Sequence, residues 1–257
     1  MKYNPYSISK LGSFNSCPAK FKMTYIDKIK IDKPRELALQ KGGYIHELLE
    51  HNFDYSIDVK LDDIFTEKEK QKAIDIVKEF ENSEMGIKYK KIIPIATLEE
   101  DFGLKIVDSK LVLCGFWDKE AFIRGSADLY FTRNDTGYIW DYKSGKDKSD
   151  DETFGIQQAK AYGIMMFTKF PEIQKVKAIF CFVEHSTEKS IEFKRKDLQS
   201  YIKDFYIDVK VVENTEIFKT SVSALCDYCD FKKYGYCDAP DKLFEDTNSF
   251  MNTKITF

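Results

Sequence analysis

Apolar positions in the first third of the chain recur at helical spacing. Leu39, Ile45, Leu48 and Leu49 share one side of a helix drawn through residues 35–52, and Ser7 or Ser9 can cap an earlier helix running toward Tyr25. Thr66, with Glu69 three positions on, makes a capping-box pattern ahead of Ala73, Ile76, Val77 and Phe80, which predicts a third helix. From Ile95 to Tyr142 the pattern becomes β-rich: residues 104–107, 111–116, 121–132 and 138–142 read as strands separated by polar turns. A helix over 153–168, strands over 176–184 and 190–193, and a helix over 197–212 follow. This order predicts a mixed α/β core. Beyond residue 213 the amphipathic pattern fades, so the last segment reads as a loop held by something other than a core. One continuous domain over 1–257 is expected, with a helical portion over 1–94, a core over 95–213 and a cysteine-bearing loop and tail over 214–257.

Composition narrows the classes. Of 257 residues, 43% are hydrophobic and 32% charged, enough apolar material for a core and too much for a disordered chain. No apolar run approaches the roughly 20 residues of a membrane span, and Met1-Lys2-Tyr3-Asn4-Pro5 lacks the apolar centre of a secretory signal. The expectation is a cytoplasmic protein with no membrane partner. The net charge is −3, so contact with nucleic acid must be local rather than bulk attraction. Among the basic residues only Arg35, Arg124, Arg133 and Arg195 are arginines, which favours phosphate contact over bidentate base reading.

The most informative stretch is Gly125-Ser126-Ala127-Asp128-Leu129-Tyr130-Phe131, a turn near Asn134 to Gly137, then Tyr138-Ile139-Trp140-Asp141-Tyr142-Lys143. A turn centred between Asp135 and Thr136 sets Asp128 opposite Lys143 and Tyr130 opposite Asp141, so that Asp128, Asp141 and Lys143 share a face. Two close carboxylates repel unless a cation neutralises them, and hard oxygen ligands suit Mg²⁺ or Mn²⁺. A neighbouring ammonium can position water or offset charge on a phosphate, a set suited to phosphodiester hydrolysis. The same residues also suit a surface hairpin with an ordinary ion pair. His46 reads as a ligand or as a satisfied histidine between Ile45 and Leu48, and Gln158 and Tyr162 lie four apart on one helical face. Glu99 and Glu100 precede the sheet, and either can add a carboxylate.

Cys226, Cys229 and Cys237 place three thiols within twelve residues, with Cys17 far upstream. Three local ligands need a fourth, and in a reducing compartment metal is favoured over disulfides. Cys114 and Cys181 lie in apolar runs and read as small buried hydrophobes. Lys232, Lys233, Tyr228, Tyr234 and Tyr236 around the C-terminal cysteines suit a solvated rim or contact with a single strand.

Taken in order, His46 within Gly43-Tyr44-Ile45-His46, Gly125-x-x-Asp128, Asp141-Tyr142-Lys143 and Gln158-x-x-x-Tyr162 resemble the RecB-like branch of the PD-(D/E)XK nuclease superfamily, which includes the AddB nuclease domain and CRISPR-associated exonucleases with iron-sulfur clusters. The resemblance implies a restriction-endonuclease-like mixed sheet flanked by helices. It implies that Asp128 and Asp141 bind metal, that His46 adds a nitrogen ligand, that Lys143 assists the attacking water, and that Gln158 and Tyr162 order the lysine or touch DNA. It also implies a 4Fe-4S cluster on Cys17, Cys226, Cys229 and Cys237, although the seven residues between Cys229 and Cys237 exceed the family's usual gap. Structural Zn²⁺ on the same thiols is the alternative. The resulting expectation is a metal-dependent DNA exonuclease acting on single-stranded ends in recombination, repair or CRISPR adaptation, with a helicase, recombinase or CRISPR integrase as possible protein partners. A non-catalytic DNA-binding or scaffold protein is the other class.

Overall fold

Pro18 has no backbone N–H and begins a helix better than it continues one. The computed structural model describes residues 3–33 and 36–240. Its first helices are α1 (Ile8–Ser16) and α2 (Pro18–Phe21), followed by a π turn at Lys22–Ile26, where the sequence suggested one helix toward Tyr25. Helices α3 (Leu37–Glu50), α4 (Glu67–Asn82) and α5 (Glu84–Ile92) come next. The expected start of α3 at residue 35 lies outside the described residues. Thr66 caps α4 as the pattern predicted, its Oγ1 accepting from the Glu69 N–H and donating to Glu69 Oε2 at 2.7 Å. Then follow β1 (Thr97–Val107), β2 (Lys110–Cys114), β3 (Ile123–Arg133), β4 (Thr136–Lys143), α6 (Ile156–Lys169), β5 (Lys175–Phe182), β6 (Thr187–Lys194), α7 (Leu198–Asn214) and α8 (Asp230–Lys233).

The described residues group into two compact units, one from 3–8, 33 and 36–211 and the other from 9–32 and 212–240. In the larger unit one sheet runs β2-β1-β3-β4-β5-β6, with β4 and β5 parallel across α6 and every other neighbouring pair antiparallel. Residues of α3, α4 and α5 cover one face, where Tyr44, Leu48, Val77, Phe80 and Tyr89 bury Leu129, Phe131, Trp140 and Tyr142. Helix α6 packs on the other, close enough that a methyl on Gly125 would stand 2.5 Å from the Met165 side chain. This is the α/β fold with a helix-flanked mixed sheet that the sequence implied. Among the described residues no helix is long and apolar enough to cross a membrane.

The smaller unit joins segments from both ends of the chain. Phe21 stacks on Phe218 with ring centroids 6.0 Å apart, Phe14 meets both edge-on, and the Ala19 N–H donates to the Lys219 carbonyl at 3.1 Å. The C-terminal segment therefore has a small aromatic core, contrary to the sequence expectation of a loop without one. The sequence hid it because Ile217 and Phe218 make too short an apolar run to predict an element, and the partners of Phe218 lie about 200 positions earlier.

Candidate metal centre and cysteine site

The β3–β4 hairpin brings the acidic residues near one another. Arg133 pairs with Thr136 across a two-residue turn whose Asn134 has φ 55°, and Tyr130 pairs with Ile139. The observed register differs by two from the expected one, so Tyr130 does not face Asp141. Asn134 tolerates the left-handed backbone, which lets the tighter turn form. A shift of two preserves strand faces, but alternation fails one step further on.

The β1–β3 ladder pairs Leu98 with Leu129 and Glu100 with Ala127, skipping Glu99 and Asp128, and Glu99 has φ 46°. Leu98 and Leu129 belong to the core under α3–α5, whereas Glu100 reaches Lys169 of α6 and Tyr130. Side-chain alternation thus slips at this step, and Asp128 turns toward α3 while Asp141 faces α6. Such an irregularity re-aims side chains and is common beside functional sites.

Asp128 Oδ2 accepts a 2.6 Å hydrogen bond from the Tyr142 N–H, and Oδ1 lies 3.7 Å from His46 Nδ1. His46 Nε2 lies 3.2 Å from the Tyr142 carbonyl. A carbonyl only accepts, so Nε2 carries a proton, and the neutral ring would present the Nδ1 lone pair on the Asp128 side. Ligand atoms of His46, Glu99 and Asp128 all lie within 4.8 Å of one another. Of the two carboxylates singled out before the sheet, Glu99 joins this group and Glu100 is taken by Lys169 and Tyr130. Burial, then the charge of Asp141, raises the Asp128 carboxyl above its ordinary value. Glu99 is open at its outer edge, but the protein around its carboxyl and then the Asp128 charge push it up to about 7.

Asp141 is 5% exposed and stands outside that three-residue group. Its Oδ1 accepts from Gln158 Nε2 and from the Tyr162 hydroxyl, both at 2.6 Å, and Lys143 Nζ lies 2.5 Å from Oδ2 and 3.2 Å from Gln158 Oε1. Burial and the Asp141 charge raise Tyr162 well above the usual phenol value, so it remains a donor. The structure therefore brings Asp141, Lys143, Gln158 and Tyr162 into one network and His46, Asp128 and Glu99 into another, with Tyr142 between them. The sequence reading missed Tyr142 as a hub because it counts as an apolar strand residue.

Metal suits these residues. Asp141 Oδ2 is buried and receives no aligned hydrogen bond, and the crowded carboxyls hold protons more tightly than free ones do. One imidazole nitrogen with several carboxylate oxygens is a donor set for Mn²⁺ or Mg²⁺. A cavity of about 390 Å³ opens beside them, lined by Gly42, Gly43, His46, Glu47, Glu50 and Glu99. Glu50, four residues after His46 on α3, was legible from helical spacing and was overlooked. His51, which caps the end of α3, gathers with Glu47 and Glu50.

The four remaining candidates meet in the smaller unit. Cys17, Cys226, Cys229 and Cys237 line one cavity of about 370 Å³, and none of the six cysteines forms a disulfide. The Ser221 N–H points at Cys17 Sγ at 3.5 Å and the Ser223 N–H at Cys226 Sγ at 3.4 Å. Cys181 is buried as expected. Cys114, at the end of the edge strand β2, is only half-buried, because that side of the sheet has no further strand to cover it. Burial raises both thiols, which keeps them unreactive.

A sequence model of the PD-(D/E)XK nuclease superfamily matches residues 5–234. The chain belongs to the PD-(D/E)XK nuclease superfamily. Among solved structures, this superfamily member is similar to a candidate exonuclease from Eubacterium rectale, with TM-score 0.52 and 14% identity over 97% of this chain and 92% of that one. It also aligns with the protein SSO0001 at TM-score 0.42 and 13% identity, over 93% and 88% of the two chains. No curated protein matches it. At 14% identity the likeness to the Eubacterium rectale protein speaks to the fold alone.

Proposed function

We propose that the protein is a metal-dependent DNA exonuclease of the RecB-like branch, acting on single-stranded ends. The observation that carries this is the convergence of His46, Glu99 and Asp128 beside an Asp141 whose Oδ2 lacks an aligned donor. His46 Nδ1, Glu99 and Asp128 would hold a divalent ion, with Asp141, outside that trio, drawn in as a further carboxylate when the ion binds; the ion would supply Lewis-acid polarisation of a phosphate and acidification of water. Gln158 and Tyr162 fix Asp141 through its other oxygen. Lys143, oriented by Gln158, carries a mobile positive charge suited to steering a water or offsetting charge on the phosphate under attack. Tyr142 holds Asp128 with its N–H and His46 with its carbonyl, so both are oriented before any ion arrives.

In the same reading, the four thiolates hold a 4Fe-4S cluster that staples the smaller unit. The cavity of about 370 Å³ that the four thiols share has room for such a group. Backbone N–H donors aimed at sulfur are the usual surroundings of a cluster. Degradation of end-labelled single strands with Mg²⁺ and with Mn²⁺ tests the catalytic reading; intact strands under both ions reject it and leave a DNA-binding or scaffold role.

A further inference from the structure

We infer that Trp117 is a stacking platform for a base of the single strand that enters the candidate nuclease site. Trp117 is 79% exposed, an uncommon position for the largest apolar side chain, in the turn between β2 and β3. It is held rather than free. Phe116 meets it edge-on at 5.0 Å, and the Arg124 guanidinium lies 5.2 Å from the Phe116 ring centre and 5.4 Å from that of Trp117. Arg124 Nη2 is anchored to the Asp118 carbonyl at 3.1 Å, and the Asp118 N–H closes the turn on the Gly115 carbonyl at 2.9 Å. A ring fixed from beneath by a cation offers its π face at little ordering cost, and every base has a face to stack on it.

The position fits the nuclease reading, on which this inference rests. Arg124 precedes Asp128 by four residues on β3, a run of about 13 Å at roughly 3.3 Å per residue. That is about four stacked nucleotides at roughly 3.4 Å each, and fewer if the strand is extended. Between them Ser126 is exposed, with its hydroxyl donated to Asp101. Lys105 is paired with Asp118 and Glu120, so the Arg124 guanidinium beside the ring is the cation placed to meet a strand's phosphate.

The chain has two tryptophans, and Trp140 is fully buried, so a change in emission on adding a strand reports Trp117. Full-length protein in chelator is titrated with oligothymidylates of increasing length, alongside Trp117→Ala and Trp117→Phe. Quenching that begins once the strand can span to the ring, an affinity loss of about 5- to 100-fold in Trp117→Ala with recovery in Trp117→Phe, and an unchanged salt slope are expected. Unaltered emission at saturation, or native affinity in Trp117→Ala, overturns the inference and leaves the ring for a protein partner. A parallel cleavage assay of the unaltered protein with Mn²⁺ separates the two ideas: cleavage without a Trp117 effect rejects only the platform, and quenching without cleavage rejects the reaction on which it rests.

Discussion

The Tyr142 hydroxyl donates to the Tyr89 hydroxyl at 2.8 Å, and Tyr89 donates onward to the Leu49 carbonyl at 2.9 Å. Tyr142 lies between Asp141 and Lys143 and holds Asp128 and His46, so this buried chain ties that hold to α5 and α3. Removing the Tyr142 hydroxyl leaves Tyr89 its carbonyl partner. Removing the Tyr89 hydroxyl strands the buried Tyr142 hydroxyl, whereas the Leu49 carbonyl still accepts from the Asn52 N–H at 3.0 Å. Tyr89→Phe should therefore destabilise more than Tyr142→Phe, by about 2 against about 1 kcal/mol, in urea unfolding. Equal losses would mean that the pair is not hydrogen-bonded in this order.

Asp128→Asn, Asp141→Asn and Lys143→Ala should each lower strand cleavage by more than about 100-fold with the fold retained, because each removes charge at the candidate centre without emptying the core. Circular dichroism checks the fold and end-labelled DNA the rate. One variant with near-native turnover at saturating metal would displace that residue from the mechanism.

The carboxyls around His46 give a pH dependence with a definite sign. Glu99, pushed up to about 7, binds its proton more tightly folded than unfolded, where about 4.3 is usual. Its contribution is complete below the unfolded value and is lost as pH rises through about 7. Metal-free protein should lose stability across that window. Mn²⁺, replacing the protons, should raise Tm more at about pH 8 than at about pH 5.5. An equal rise at both would place the ion elsewhere.

Protein prepared without oxygen should be brown with about four irons per chain. Cys229→Ala should lose iron, melt earlier and expose the segment after residue 212 to protease. Because Phe14, Phe21 and Phe218 also join the two segments, the loss should be partial, and Phe218→Ala combined with Cys229→Ala should complete it. One zinc and no iron in the anaerobic preparation would retain the staple and reject the iron-sulfur group.

Local signals carried the fold. The Thr66 cap, the strand runs and the turn before Gly137 each appear in a few adjacent residues, and each has its counterpart in the backbone. Helix α5 did not register, because Ser83 ends α4 and begins α5 in one step: its hydroxyl donates to the Phe80 carbonyl and accepts from the Gly86 N–H. A methyl at Gly86 would stand 2.0 Å from the Phe80 carbonyl, so only glycine permits that close corner. At the site, residue types were legible and grouping was not. Period-two reasoning set Asp128 and Asp141 side by side, but the left-handed Glu99 and the skipped pairing at Asp128 turn one toward α3 and leave the other against α6. A backbone slip at one residue pair leaves no compositional trace.

The smaller unit draws residues 9–32 from one end of the chain and residues after 212 from the other, with the whole β-sheet encoded between them. During synthesis at about 5–20 residues per second, Cys17 therefore emerges about 10–40 s before Cys226, Cys229 and Cys237. The sheet can be complete while the first thiol still waits. A chain cut short by premature termination would carry every candidate catalytic residue and lack three of the four sulfurs. Closure of the cysteine site thus waits on synthesis past Cys237, which the folding of the nuclease core does not.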